Sequence, residues 1–156
     1  MEAFSFQGAD GAEVAAWRLH PSGPPRAAVQ VAHGMSEHFG RYRRLAERLV
    51  AAGYAVFGAD HRGHGRSADP YGFGAFGPRG FQTLVDDMAT LSAIARSQAP
   101  GVPLVLLGHS MGSFASQLYL LEHPRNQDAL VLSGTAALDK LLATKQIEAL
   151  AANIPC

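Results

Sequence analysis

A chain of 156 residues whose one cysteine is its last residue, Cys156, forms no internal disulfide and no cysteine-based metal cluster. Excess charge is missing as well: 13 Lys and Arg balance 13 Asp and Glu, which excludes an electrostatic nucleic-acid binder. No apolar run approaches the roughly 20 residues of a membrane-spanning helix. The opening stretch, Met1-Glu2-Ala3-Phe4-Ser5-Phe6, has neither the basic nor the apolar region of a secretory signal. Internal repeats are absent. These absences predict a soluble cytoplasmic protein.

What is present points to a packed domain. Hydrophobic residues make up 47% and charged residues 17%, which fits a globular chain and not a disordered one. A chain of this size can bury about two-thirds of its unfolded surface.

The pattern along the chain is first a hairpin, then an alternation. Phe4-Ser5-Phe6 alternates, Gly8-Ala9-Asp10-Gly11 makes a turn, and Val14 to Leu19 reads as a return strand. Strands are predicted at Ala27–Ala32, Tyr54–Ala59, Val102–Leu107 and Ala129–Leu132. Helices are predicted at Arg41–Ala52 with Gly53 closing it, Phe81–Ser97 and Met111–Glu122, and again from Leu138 onward. Asp60–Pro78 reads as a long loop. Strands alternating with helices imply a mostly parallel sheet with helices on both faces. Ligands in such α/β sheets bind beyond the C-terminal strand ends, where His33, Asp60, Ser110 and Ser133 gather.

Gly108-His109-Ser110-Met111-Gly112 stands between a predicted strand and a predicted helix. In that setting Gly-x-Ser-x-Gly forms a nucleophile elbow, with the serine on a strained turn and small residues on either side. Acyl transfer needs a nucleophile, a base, and donors for the developing oxyanion. Ser110 is the candidate nucleophile. The backbone N–H of Met111 is one candidate donor. His33-Gly34-Met35 ends an earlier strand in a turn that can approach closely, so the N–H of Met35 is the second.

Three segments together carry a resemblance: His33-Gly34-Met35-Ser36-Glu37-His38 with Arg41-Tyr42, Asp60-His61-Arg62-Gly63-His64-Gly65-Arg66-Ser67, and Gly108 to Gly112. In their order and approximate spacing the chain resembles the α/β-hydrolase superfamily, within it the monoacylglycerol lipase and lysophospholipase group of serine aminopeptidase-like hydrolases. The resemblance implies Ser110 as nucleophile and Met35 and Met111 as oxyanion donors. His33, Gly34, Gly108, His109 and Gly112 would support them, and the Asp60–Ser67 loop would hold the site in place. It implies hydrolysis of carboxylic esters of lipids and related small molecules through an acyl-enzyme, with no cofactor and no metal.

The resemblance covers the N-terminal half or so of a family member. Residues 1–135 are expected to form the N-terminal part of the core, truncated before the last strands, and 136–156 the start of a cap. The family's catalytic acid and histidine follow later strands, and the 46 residues after Ser110 hold no convincing pair. His109 adjoins Ser110, but neighbouring side chains in an elbow diverge. His33 is expected to brace the oxyanion turn. His123 lies 13 residues on, about 20 Å along a helix. His61, His64 and Asp139 are weak substitutes, and Asp128 precedes its strand. His33, His38, Asp60, His61 and His64 form a histidine-rich set without metal-ligand spacing. The alternative to a hydrolase is a non-catalytic or split fragment that binds an acyl ligand or a partner chain. The apolar Ala129–Leu132 strand would be left as an edge, so self-association is expected.

Overall fold

The computed structural model describes residues 1–68 and 72–137; the expected helix from Leu138, Asp139 and most of the expected cap segment lie outside them. Six strands form one sheet: β1 (Glu2–Gln7), β2 (Glu13–Leu19), β3 (Ala28–Ala32), β4 (Ala55–Ala59), β5 (Leu104–His109) and β6 (Ala129–Ser133). Their order is β1-β2-β4-β3-β5-β6. The first two strands are the antiparallel hairpin, and β2 joins β4 antiparallel. From β4 across to β6 every pairing is parallel. The helices are α1 (Arg43–Ala51), α2 (Phe81–Gln98) and α3 (Met111–Glu122). The expected α/β-hydrolase layout of hairpin, parallel sheet and flanking helices is therefore the observed one.

The alternation of side chains along β3 shows why both faces need covering. Val29 and Val31 pack with Trp17, Phe39, Ala46 and Val56 on the α1 face. Ala32 turns the other way, toward Leu84, Val85, Met111 and Tyr119 of α2 and α3. Every residue of β3 and β4 is buried, as expected for central strands under helices on both sides. Gln30 is the polar exception in β3. Its amide donates to the Met88 carbonyl at 3.0 Å and its oxygen accepts from Ser92 Oγ at 2.7 Å, so its burial is compensated.

The helix start near Arg41 differs from the periodicity, and the strand expected at Val102–Leu107 runs instead over Leu104–His109. The predicted helix at Arg41 begins instead as a 3-10 turn over Phe39–Tyr42, with α1 following. The reason lies outside the helix: the Asp60 carboxylate accepts the Phe39 amide at 2.8 Å and sets the entry. Gly53, at φ 88°, closes the far end as expected, its N–H reaching the Val50 carbonyl at 2.9 Å. The loop after β4 contains a 3-10 turn over Gly65–Ser67, held where Asp60 accepts the Arg66 amide at 2.8 Å.

That loop is anchored by a buried arginine. Arg62 is 2% exposed and pairs with Asp87 of α2 and Asp10 of the hairpin turn. Asp87 also accepts the Ala9 amide at 2.9 Å. One guanidinium thus ties three sequence-distant segments behind the strand ends, and removing it would leave the buried Asp87 carboxylate without its counter-charge.

The opposite edge is open among the described residues. Along β6, Val131 is 46% exposed, and on α3 Leu121 is 78% exposed. Leu120, Leu121, Leu130 and Leu132 line a groove between them.

Candidate active site

Ser110 joins β5 to α3 with φ 50° and ψ −119°, a conformation that disfavours any residue with a Cβ. Main-chain bonds hold it there. Its N–H donates to the Ser133 carbonyl at 2.9 Å, and its carbonyl accepts from Ser113 N at 2.8 Å. Packing fixes the rest. A Cβ on Gly112 would lie 2.2 Å from the Ala32 carbonyl oxygen, and one on Gly108 would lie 2.5 Å from that of Gly112. The start of α3 therefore rests on the end of β3 at a distance only glycine permits. Ser110 is part-exposed, and no described residue hydrogen-bonds its Oγ. The Met111 amide, first in α3, has no acceptor inside the helix.

The turn after β3 meets this elbow. A Cβ on Gly34 would stand 3.3 Å from Ser110 Cβ. The Glu37 carboxylate accepts the Gly34 N–H at 3.0 Å and the Tyr42 hydroxyl at 2.6 Å. His33 Nδ1 lies 2.7 Å from the Gly34 carbonyl oxygen, and His33 Nε2 accepts the His61 N–H at 2.9 Å. Ser36 has φ 58°, so it and Ser110 are the non-glycine residues with positive φ among those described. The Met35 amide has no main-chain acceptor among the described residues, and the residue is 53% exposed. The structure thus brings His33, Gly34, Met35, Gly108, Ser110, Met111 and Gly112 to one place.

Burial controls the charge of the histidines behind the turn. It lowers His33 to about 4, and His61 well below its usual range, so both are neutral at pH 7. The His33 ring centroid lies 4.2 Å from that of His61 and 5.3 Å from that of His64. His64 Nδ1 is within 3.0 Å of the Arg62 carbonyl. Partial burial pushes Glu37 up, but the Tyr42 hydroxyl and Gly34 amide outweigh it and hold the carboxyl below its ordinary value.

No histidine among the described residues, which include all seven in the chain, hydrogen-bonds Ser110 Oγ. His109 Nδ1 instead meets Ser133 Oγ at 3.2 Å. His123 caps the far end of α3, its ring 5.1 Å from Tyr119. Asp128 lies at the opposite end of the sheet, accepting the Leu104 amide at 2.7 Å. Reading the sequence alone missed two features. Asp60 acts as a double main-chain clamp, and no local pattern reveals that. Asp86, Glu122 and His123 lie close together, but Gln82 and Arg79 already engage the two carboxylates.

Residues 23–155 match the family described as serine aminopeptidase, S33. The chain belongs to that family. It is 41% identical over 132 residues to a monoacylglycerol lipase of Mycolicibacterium smegmatis, covering 85% of this chain and 46% of that protein. It is 35% identical over 150 residues to a monoglyceride lipase of Rattus norvegicus, covering 94% and 47%. Among solved structures it resembles a thermostable carboxyl esterase of Bacillus coagulans with bound glycerol. That match has a TM-score of 0.82 and 35% identity over 95% of this chain and 51% of the other. The chain spans about half the length of the relatives it matches.

Proposed function

We propose that this chain carries the nucleophile and oxyanion portion of a serine hydrolase acting on carboxylic esters of the monoacylglycerol and lysophospholipid kind. Ser110 Oγ attacks the ester carbonyl carbon. The carbonyl π electrons move onto oxygen, which the Met35 and Met111 amides receive. The carbonyl re-forms as the C–O bond to the alcohol breaks, the alcohol takes the proton that Ser110 Oγ gave up to the base, and water hydrolyses the acyl-enzyme to the acid and the free serine. One such amide donor is worth roughly 3–4 kcal/mol in acyl transfer. The observation that carries this reading is the left-handed Ser110 at the end of a central strand, with Gly34 pressed against it. The relatives, named as lipases and an esterase, support the choice of substrate class.

The base and its acid partner are proposed to come from polypeptide beyond this chain. Three histidines support this, since the His33, His64 and His109 rings already meet the Gly34 carbonyl, the Arg62 carbonyl and the Ser133 hydroxyl. The apolar groove beside β6 favours a second form of the reading, in which a complementing chain or a second copy covers that edge. A fluorophosphonate probe tests both. Ser110 is expected to label only after a polypeptide with the remaining strands is added. Labelling of the chain alone would contradict the missing base, and no labelling in either case would leave a binding fragment. Light scattering at tens of micromolar is expected to show self-association of the isolated chain.

A further inference from the structure

Taking Met35 as an oxyanion donor, as proposed above, we infer that His33 is the positioning residue for it. Its imidazole, kept in one tautomer by the His61 amide, fixes the plane of the Gly34–Met35 peptide. The argument starts from donor and acceptor identity. A carbonyl oxygen only accepts, so the 2.7 Å contact to Gly34 places the proton on His33 Nδ1. A neutral ring then has a bare Nε2, and the His61 N–H points at that atom from 2.9 Å. The two contacts require the same tautomer and exclude the other. Charging the ring would put a proton on Nε2 against the His61 N–H.

The groups around the ring are Glu37, Asp60, His61 and His64, and burial dominates over them in keeping the ring neutral. The effect reaches Met35 through peptide planarity. In a trans peptide the C=O and the following N–H point in opposite directions. The pull of His33 on the Gly34 oxygen therefore aims the Met35 N–H the other way. The preceding peptide plane is fixed separately, because Glu37 accepts the Gly34 N–H at 3.0 Å. His33 is thus a second determinant of the turn, tied to a segment 28 residues away in sequence.

The test is nuclear magnetic resonance of the full chain at pH 7. Long-range nitrogen–proton spectra are expected to show His33 protonated on Nδ1. In His33→Asn the side-chain amide takes the Nδ1 position and still donates to Gly34, so the Met35 amide resonance is expected to stay near its parent position. In His33→Ala that resonance is expected to move, while the Met111 amide stays in place. An Nε2-protonated His33 in the parent, an unmoved Met35 amide in His33→Ala, or Met35 and Met111 moving together would overturn the inference. If His33→Ala does not fold, the parent tautomer and His33→Asn decide it. These readouts involve no ester turnover, so their failure is distinct from failure of Ser110 to label.

Discussion

The turn holding Met35 and the elbow holding Ser110 face each other, and each contains a serine with positive φ. They are held by different means. The elbow is fixed by main chain and close packing: Ser110 N on the Ser133 carbonyl, Ser113 N on the Ser110 carbonyl, and Gly112 against Ala32. The turn is fixed by side chains: His33 on the Gly34 carbonyl, and Glu37 on the Gly34 amide with Tyr42 behind it. An elbow built from backbone changes only when the backbone cannot fit. A turn built from titratable side chains also responds to pH.

The largest effect is expected on the elbow side. In Gly112→Ala the new methyl would lie 2.2 Å from the Ala32 oxygen and 2.6 Å from that of His33, both main-chain atoms that cannot turn aside. The expected cost is roughly 3 kcal/mol, the upper end for overpacking, and urea unfolding would read it. A cost near zero would show that α3 is free to move off β3.

Acid should act on the turn side with nearly the same size. His33 titrates at about 4 in the fold, against 6.5 for the ordinary group. Between those values the unfolded chain binds more protons, so stability is full above 6.5 and is lost as pH falls toward 4. The difference corresponds to roughly 3 kcal/mol. Burial of His61 adds in the same direction. Urea midpoints at pH 7.5 and about 4.5 check this, and His33→Asn should flatten the fall. An equal fall in His33→Asn would assign it to other groups.

The same contrast explains what could be read from the sequence. The sharp bend at Ser110 was legible because its geometry is local. Glycines at 108 and 112 around Ser110, after an apolar strand, leave little freedom in how the chain passes. The parallel pairing of β3 to β6 was legible for a similar reason, since helix-length connections between apolar runs imply parallel strands, but their order across the sheet was not. The support of the turn was legible only in part: His33 was expected to brace it, but not its partners. The His33 to His61 bond and the Asp60 clamp on Phe39 and Arg66 join residues that only the fold brings together. The start of α1 was misplaced for that reason: a distant carboxylate overrode the local periodicity.

A smaller effect separates the charge of Glu37 from its role as an acceptor. Glu37→Ala leaves the Gly34 amide and the Tyr42 hydroxyl without their partner, at an expected cost of about 2 kcal/mol. Glu37→Gln keeps an oxygen acceptor and should cost about half as much. Urea unfolding of the two variants side by side would show it. Equal losses would mean that the negative charge, and not the hydrogen bonds, sets the turn.

The smallest effect compares the two serines directly. A left-handed conformation costs a residue with a Cβ about 1–2 kcal/mol relative to glycine, while glycine gives back roughly 0.5–1 kcal/mol through unfolded-chain entropy. Ser36 is exposed at φ 58°, and no hydrogen bond of its side chain offsets that strain among the described residues. Ser36→Gly should therefore raise stability by about 0.5 kcal/mol and leave labelling of Ser110 intact in the complemented protein. Ser110→Gly relieves strain of the same kind, yet removes the hydroxyl that the probe must find. Equal gains with labelling lost only in the second variant would place strain and chemistry together at the elbow, and strain alone at the turn. A loss of stability in Ser36→Gly would mean that its side chain holds the turn, against the division of labour drawn above.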